Sequence, residues 1–529
     1  MPKISIKLEN ILGGIAPTQY FGPKGSFNSS IAIDPDLPVG SGPKTSGMIV
    51  PVGYAKFSGA NVNASVIALI TNPKNTLTYA VLNNGRLISY DSAMANEALV
   101  GTVTGSNAEG GFYYNNYVYI TGTGASKDDM SRYGPLDGSP TLVDNVWKGS
   151  TLGTQTALTN TTYPTLRSVR LPNHWGFAHK GDGCAYVVDF KNGQGWIHRI
   201  STKKVTAEGD TNDTTVPSAY GALDLPFGFY PVAGCSFNND LAIIAIQTID
   251  TTIDQGEAAM FLWDVSDSSS FYKGPIPLGD SLATAILNVN GIPVIFSGNA
   301  SSGIRISRYI GGESVSEVAF QEEGTPPFPG AAAIRGNRIA YGNWTTVPTV
   351  TASVCALNSK TARLSGNPAA IQNIAKGSGA GTTPIVTAIK FTQQASSVFN
   401  KLIIASTDGT GTQIDQYSSS ATLASVFRWT VNAGRKFNVS KIRLALGKVV
   451  AANMSIVPKL LFDEESSSKT LATINNTNYS GKRKVIYENT ELTGAAGENS
   501  FILELSFTGT VVLPVLLPIL IDLDVVENE

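Results

Sequence analysis

The sequence predicts an all-β protein: an about seven-bladed β-propeller with an extended N-terminal arm and a C-terminal β-sandwich domain. Three observations carry that expectation. Charged residues are only 15% of the 529 positions, and glycine contributes 53. An average soluble protein has about 25% charged residues. Long helices need charged or alanine-rich outer faces, whereas strands joined by tight turns need β-branched and aromatic residues with Gly and Asn at the bends. The second observation is a degenerate repeat through the middle of the chain. The third is a change of texture after Tyr417.

Taken in order, residues 1–45 are rich in Pro, Gly and Ser and lack sustained alternation, so they read as an extended arm. Residues 46–420 hold the repeat, a succession of short apolar strands separated by Asn or Gly turns. Its seven units run Val66–Asp91, Gly111–Leu136, His179–Ser201, Gly234–Val265, Ala283–Ile310, Ala331–Asn358 and Ile385–Tyr417. Hairpin signals fall between apolar runs at Asn83-Asn84-Gly85, Asn115-Asn116, Asn238-Asn239-Asp240, Asn290-Gly291 and Gly336-Asn337. Asn and Gly tolerate the positive φ that tight hairpins require. Units of roughly 40 to 55 residues with about four strands each mark a propeller, whose blades bury their faces only by stacking in a ring. A solenoid or a row of sandwiches would give similar short strands. Met48–Phe57 is expected to supply the strand that closes the ring, since an open ring leaves a sheet edge unpaired.

Residues 421–529 carry alternating segments about ten to fifteen residues apart, as expected of a β-sandwich of about 100 residues. Phe501, Leu503, Leu505 and Phe507 alternate with Ile502, Glu504 and Ser506, giving one buried and one more exposed face. The most apolar stretch, Val511–Leu523, is interrupted by Pro514 and Pro518 and falls short of the about 20 residues of a helical span, so it is expected to be a buried terminal strand.

Several function classes lose support. The 38 Lys and Arg nearly balance 40 Asp and Glu with no basic cluster, so there is no electrostatic footprint for nucleic acid or an anionic membrane, and membrane insertion is not expected. Cys184, Cys235 and Cys355 are widely spaced within apolar runs and read as small core residues. The opening MPKISIKLENIL lacks the apolar stretch of a signal peptide, so a cytosolic origin is expected.

Candidate chemistry is sparse. His174, His179 and His198 lie near Asp182 and Cys184, but their spacing matches no metal motif, and hydrogen-bonded loop histidines are the expectation. Asp210, Asn212, Asp213 and Asp408 offer oxygens of the kind calcium accepts without the EF-hand pattern, and read as turn caps. Asp182, Asp189, Asp224, Asp240 and Asp264 are carboxylates that a propeller mouth could pair for glycoside hydrolysis, which needs two acids about 5 to 10 Å apart. Of the tryptophans, Trp263 and Trp429 sit in strand-like alternation and read as core. Trp147, Trp175 and Trp344 lie in loop-like stretches and are the candidates for contact with a ligand, for instance a sugar face. No catalytic residue, metal ligand or cofactor is assigned.

The segments LENILGGIAPTQYFGPKGSFNSSIAIDPDLP, TSGMIVPVGYAKF and NPKNTLTYAVLNNGRLISYD, and the tail from FNVSKIRLALG to VVLPVLLPILIDLDV, together resemble tailed-bacteriophage virion proteins. The likeness spans most of the chain in texture and local phrases and includes no catalytic motif. It implies a non-enzymatic structural or adsorption component of the tail, tail tip or fibre, located in the virion. Its expected partners are other virion proteins, further copies of itself and a host-surface glycan or receptor. A tail-associated glycan-degrading enzyme, a glycan-binding propeller and a capsid decoration protein are the alternatives. On this reading the arm orders against a neighbouring subunit, and deleting residues 2–45 leaves a folded propeller but abolishes incorporation into particles.

Overall fold

A computed structural model describes most of residues 2–526. It leaves out residues 17–25, 34–47, 148–173, 201–222, 248–256, 344–352, 359–369, 377–384 and 393–401, together with shorter stretches. The described residues are mostly strand with almost no helix, and they form seven four-stranded antiparallel sheets, two six-stranded sheets and one short parallel pair, Gly14–Ile15 with Ser26–Phe27.

The seven sheets close into a ring. Their innermost strands are Val66–Thr71, Gly110–Tyr114, Gly176–Ala178, Phe229–Phe237, Leu282–Val289, Ala332–Arg335 and Ile385–Phe391, and each neighbours the next, with the last beside the first. Close approach at the axis sets their composition. A Cβ on Gly176 would overlap the ring of Phe112 from the second sheet, and one on Gly234 would overlap Phe177 from the third. Each of these rings is seated where the next sheet has no side chain. A short 3-10 turn, Pro329–Ala331, leads into the innermost strand of the sixth sheet and touches the innermost strands of the first, fifth and seventh sheets.

The hairpin turns obey the Asn/Gly rule. Asn115, Asn116, Asn238 and Asn290 all have positive φ, as do Gly85 and Gly291. Gly336-Asn337 lies outside the described residues. The fourth, outermost strands, such as Glu97–Thr102, Lys273–Pro277 and Ser316–Gln321, fall outside the seven units read from the sequence. Their alternation is weak because much of each strand faces water. In the third sheet the innermost strand is Gly176–Ala178, so that unit begins before His179 rather than at it.

The seventh sheet is completed from a distance. Tyr54–Lys56 pairs antiparallel with Thr412–Tyr417, with Tyr54 opposite Tyr417 and Lys56 opposite Asp415. The rest of the stretch expected to close the ring goes elsewhere: Met48–Ile49 pairs with Val515 and Leu516.

The two larger sheets contain the C-terminal strands and pack around one apolar core, which includes Trp429, Phe437, Phe501, Leu505 and Ile521. The described part of residues 1–45 is not a separate arm. Lys3–Leu8 pairs with the C-terminal strand Val515–Val525 from Lys3 opposite Asp524 to Leu8 opposite Ile519. Ser29–Ile31 adds to Leu423–Asn432 in the other sheet, and Leu8, Phe27 and Ile33 enter the shared core. The proline-poor alternation KISIKL therefore makes an ordinary edge strand whose partner is the far end of the chain. Val515–Val525 is strand as expected, and no described helix is long and apolar enough to cross a membrane.

Candidate functional site

Two places bring chemistry-bearing side chains together, and they lie in neighbouring sheets. The first is interior. His174, just before the innermost strand of the third sheet, meets Asp189 on the second strand with Nε2 to Oδ1 at 3.0 Å, and His198 on the third strand meets it with Nε2 to Oδ2 at 2.9 Å. The Phe190 amide also donates to Asp189 Oδ1 at 2.8 Å. Burial by itself pushes the Asp189 carboxyl up, but the hydrogen bonds and charge of the two histidines outweigh it and hold the group below the usual carboxylate range. Thr121 of the second sheet donates its hydroxyl to the His174 carbonyl, so the cluster also ties two sheets together.

Asp189, His174 and His198 are all essentially inaccessible to solvent. Asp189, Trp196 and Asp224 form one row across three strands, which places both carboxylates on the same face of the sheet. Partial burial raises Asp224 and His198 lowers it. One of the two carboxylates, however, is sealed away from any substrate. The fifth sheet repeats the device: Asp280, just before its innermost strand, accepts from Ser297 Oγ at 2.6 Å and from Arg305 Nε at 3.1 Å. Two sheets thus use a polar residue at the same point to grip their own middle strands, which assigns the cluster to holding the sheet. Among the described residues no group of three or more His, Cys, Asp or Glu is placed to hold a metal ion.

The second place is the face where the innermost strands finish. Its turns are laced from sheet to sheet. Tyr114 donates to the Gly183 carbonyl at 2.6 Å, His179 bonds Ser236 Oγ and the Asn239 carbonyl at 2.9 Å each, and Asn288 donates to the Ser236 carbonyl. Arg199 donates to the Val265 carbonyl and lies over the Trp263 ring at 5.4 Å. The turns of sheets two to five therefore form a fixed platform. His179 belongs to this platform and not to the interior cluster, so the three histidines do not converge, and His198 sits in a strand, not a loop.

Tyr272, 52% exposed, stands on this platform. Its hydroxyl donates to Asp240 Oδ2 at 2.7 Å, which fixes the ring. Partial burial, that hydrogen bond and the nearby charges of Asp240 and Asp264 push the phenol well above its ordinary value, so it stays a donor. Beside it Tyr309 packs edge-on against Phe237 at 5.4 Å and donates to the Gly312 carbonyl at 3.0 Å, and Lys273 pairs with Glu313 at 3.0 Å. Ile310, 61% exposed, lies on the same turn. Together these make a rigid aromatic and aliphatic surface edged by both donors and acceptors.

The tryptophans fare differently. Trp175 is half-buried and packs against three of the ring's apolar clusters. Its carbonyl accepts from Val188 N at 3.0 Å, and its ring lies where a Cβ on Gly110 would project. Trp147 ends the outer strand of the second sheet, opposite Met130, and its side chain is outside the described residues, as is the whole of Trp344. Trp263 and Trp429 are core. Asp182, Asp210, Asn212, Asp213 and Asp408 lie outside the described residues. Cys235 is buried and Cys184 half-buried, and the side chain of Cys355 is not described. Tyr272 is not among the tryptophan candidates, and its one signal in the sequence is its place in FYKGP, a turn between two apolar runs.

No protein-family model matches the chain, and no curated protein matches it. Among solved structures, 69% of the chain is similar to 98% of a chain described as U3-55K, at 11% identity and a TM-score of 0.41. The WD40 repeats of RRP9 match 70% of the chain over 99% of their own length, at 9% identity and a TM-score of 0.41. The computationally designed Ika8 protein matches 69% of the chain over 99% of its own, at 13% identity and a TM-score of 0.38. Likenesses at these levels carry no argument about what this chain does, and the ring of sheets rests on its own strand pairing.

Proposed function

We propose that this chain is a non-enzymatic structural protein of a tailed-phage virion, part of its tail or host-adsorption apparatus, acting by assembly with other virion proteins and with further copies of itself. The observation that carries the reading is the way the two parts are joined. The chain passes from the sandwich strand Met48–Ile49 into Tyr54–Lys56 of the ring, and returns from Thr412–Tyr417 into the sandwich strand Leu423–Asn432. The two crossings flank paired strands of one sheet. Lys3–Leu8 then pairs with Val515–Val525 as the edge strand of one sandwich sheet. Two crossings with paired neighbours restrain relative motion of the parts more than a single linker does, which suits a component that must hold position on a particle. The sequence resemblance supplies the kind of particle. The interior His174–Asp189–His198 cluster supports a non-enzymatic reading, since its groups are engaged with one another and closed to solvent.

Immunogold electron microscopy of purified phage particles, with antibodies raised against the full-length protein, tests the proposal. Label at the tail or its tip is the expected result. Label over the head moves the protein to capsid decoration. Unlabelled particles with the protein free in the lysate defeat the virion reading, and reducing-sugar release from host polysaccharide then becomes the assay of interest.

A further inference from the structure

We infer that the platform around Tyr272 is a contact site for one neutral hexopyranose unit of a host-surface glycan. The inference deepens the adsorption reading above and rests on it. A pyranose offers a face of C–H groups that lies flat on an aromatic ring and a rim of hydroxyls that both donate and accept. Tyr272 provides the ring. It is half exposed, and its hydroxyl bond to Asp240 holds it in place, so little side-chain freedom is lost on contact. Ile310, next to Tyr309 in the chain, adds an exposed apolar side chain on the adjoining turn.

The rim chemistry is present on both sides. Asp240 is an acceptor beside the ring, and Lys273 with Glu313 offers a donor and an acceptor already paired with each other. The Lys273–Glu313 pair adds no net charge, and the carboxylates of Asp240 and Asp264 near the ring repel an anion, which points to a neutral, hydroxylated ligand. Access is open, since a Cβ built on Gly311 or Gly312 would meet nothing within 4 Å. Phe227 is more exposed, at 79%, but it stands on the opposite face, where its ring covers Gly193. No polar rim like that of Tyr272 is described around Phe227. It is therefore the natural control. An open surface of this size gives weak binding per site, and presentation of several copies on one particle would convert it into firm adhesion.

Saturation-transfer NMR with the full-length protein tests the site, using the methyl glycosides of glucose, galactose, mannose and N-acetylglucosamine as probes. At least one probe is expected to receive saturation on its ring protons. Transfer should fall about tenfold in Tyr272→Ala, the size expected for losing one stacked ring, and persist in Tyr272→Phe and in Phe227→Ala. Near-UV circular dichroism of each variant checks the fold. No transfer to any probe, or equal transfer in a folded Tyr272→Ala, overturns the inference. Particle labelling is independent of this result, so a site that fails on a labelled virion protein, and a working site on an unlabelled one, are distinguishable outcomes.

Discussion

Gly176→Ala tests the way the ring is packed. The added methyl would project into Cδ1 and Cε1 of Phe112 and lie 3.1 Å from its Cγ. That ring has little room to give way, being 6% exposed and stacked on Tyr119 at 5.2 Å and 13°. Overpacking of this kind costs about 1–3 kcal/mol. Without the ring, the same substitution in a strand would stabilise by about 0.5–1 kcal/mol through lost backbone freedom. The sign of the effect therefore reports whether the two sheets meet as described. The net expectation is a loss of about 1–2 kcal/mol, or a fall in Tm of roughly 1–3 °C at this size, since the unfolding entropy grows with chain length. Phe112→Ala alone should cost about 3–5 kcal/mol. In that background Gly176→Ala should become neutral or stabilising, a coupling of about 1–3 kcal/mol between the positions. Scanning calorimetry of the four proteins reads all of this. A Gly176→Ala protein that melts at or above the wild-type temperature, with additive effects in the double variant, would refute the reasoning.

Other expectations follow from the same interior. Asp189→Ala leaves the buried imidazoles of His174 and His198 without their acceptor and should cost about 3–5 kcal/mol, measured by urea unfolding. Because the folded Asp189 is held below its unfolded value of about 3.9, its contribution is fully present above that pH and is lost as pH falls through the folded value. The gap between wild type and Asp189→Ala should then be constant near neutrality and narrow in acid; a gap that widens in acid contradicts the assignment. Cys235, buried and with its thiol pushed up by desolvation, should resist a thiol reagent in the native protein and react only after unfolding, as mass spectrometry of the labelled peptide would show. Deleting residues 2–45 removes strands 3–8 and 29–31 from the sandwich, so the truncated protein should lose or lower the sandwich transition while the ring still melts cooperatively. An unchanged sandwich transition would argue against that pairing.

The inner parts of the ring were legible in the sequence because they are buried on both faces. Strands such as Asp240–Gln247 and Ala258–Trp263 read as unbroken apolar runs, and Asn-rich turns mark their ends. The outermost strands were not legible. Glu97–Thr102 has no fully buried residue, so its sequence keeps no strong period. The first strand was missed for a different reason: KISIKL alternates, but nothing near it in the sequence can pair with it. The interior cluster escaped because His174, Asp189 and His198 meet only through sheet register, and register leaves no motif. Tyr272 escaped because a turn residue held by one hydrogen bond from a distant strand looks, in sequence, like any other loop aromatic.

The pairing of the two chain ends also dictates when the molecule can finish folding. Ser58 bonds Ile414 across 356 residues, and Ser5 meets Asp522 across 517. At translation rates of about 5–20 residues per second, a newly made first strand waits roughly half a minute to two minutes for its partner to leave the ribosome. The ring and the sandwich both have their seams sewn by late-arriving strands. Assembly of this protein is therefore gated by synthesis of Val515–Val525, and a chain that stops before that strand offers open sheet edges that its pairing otherwise covers.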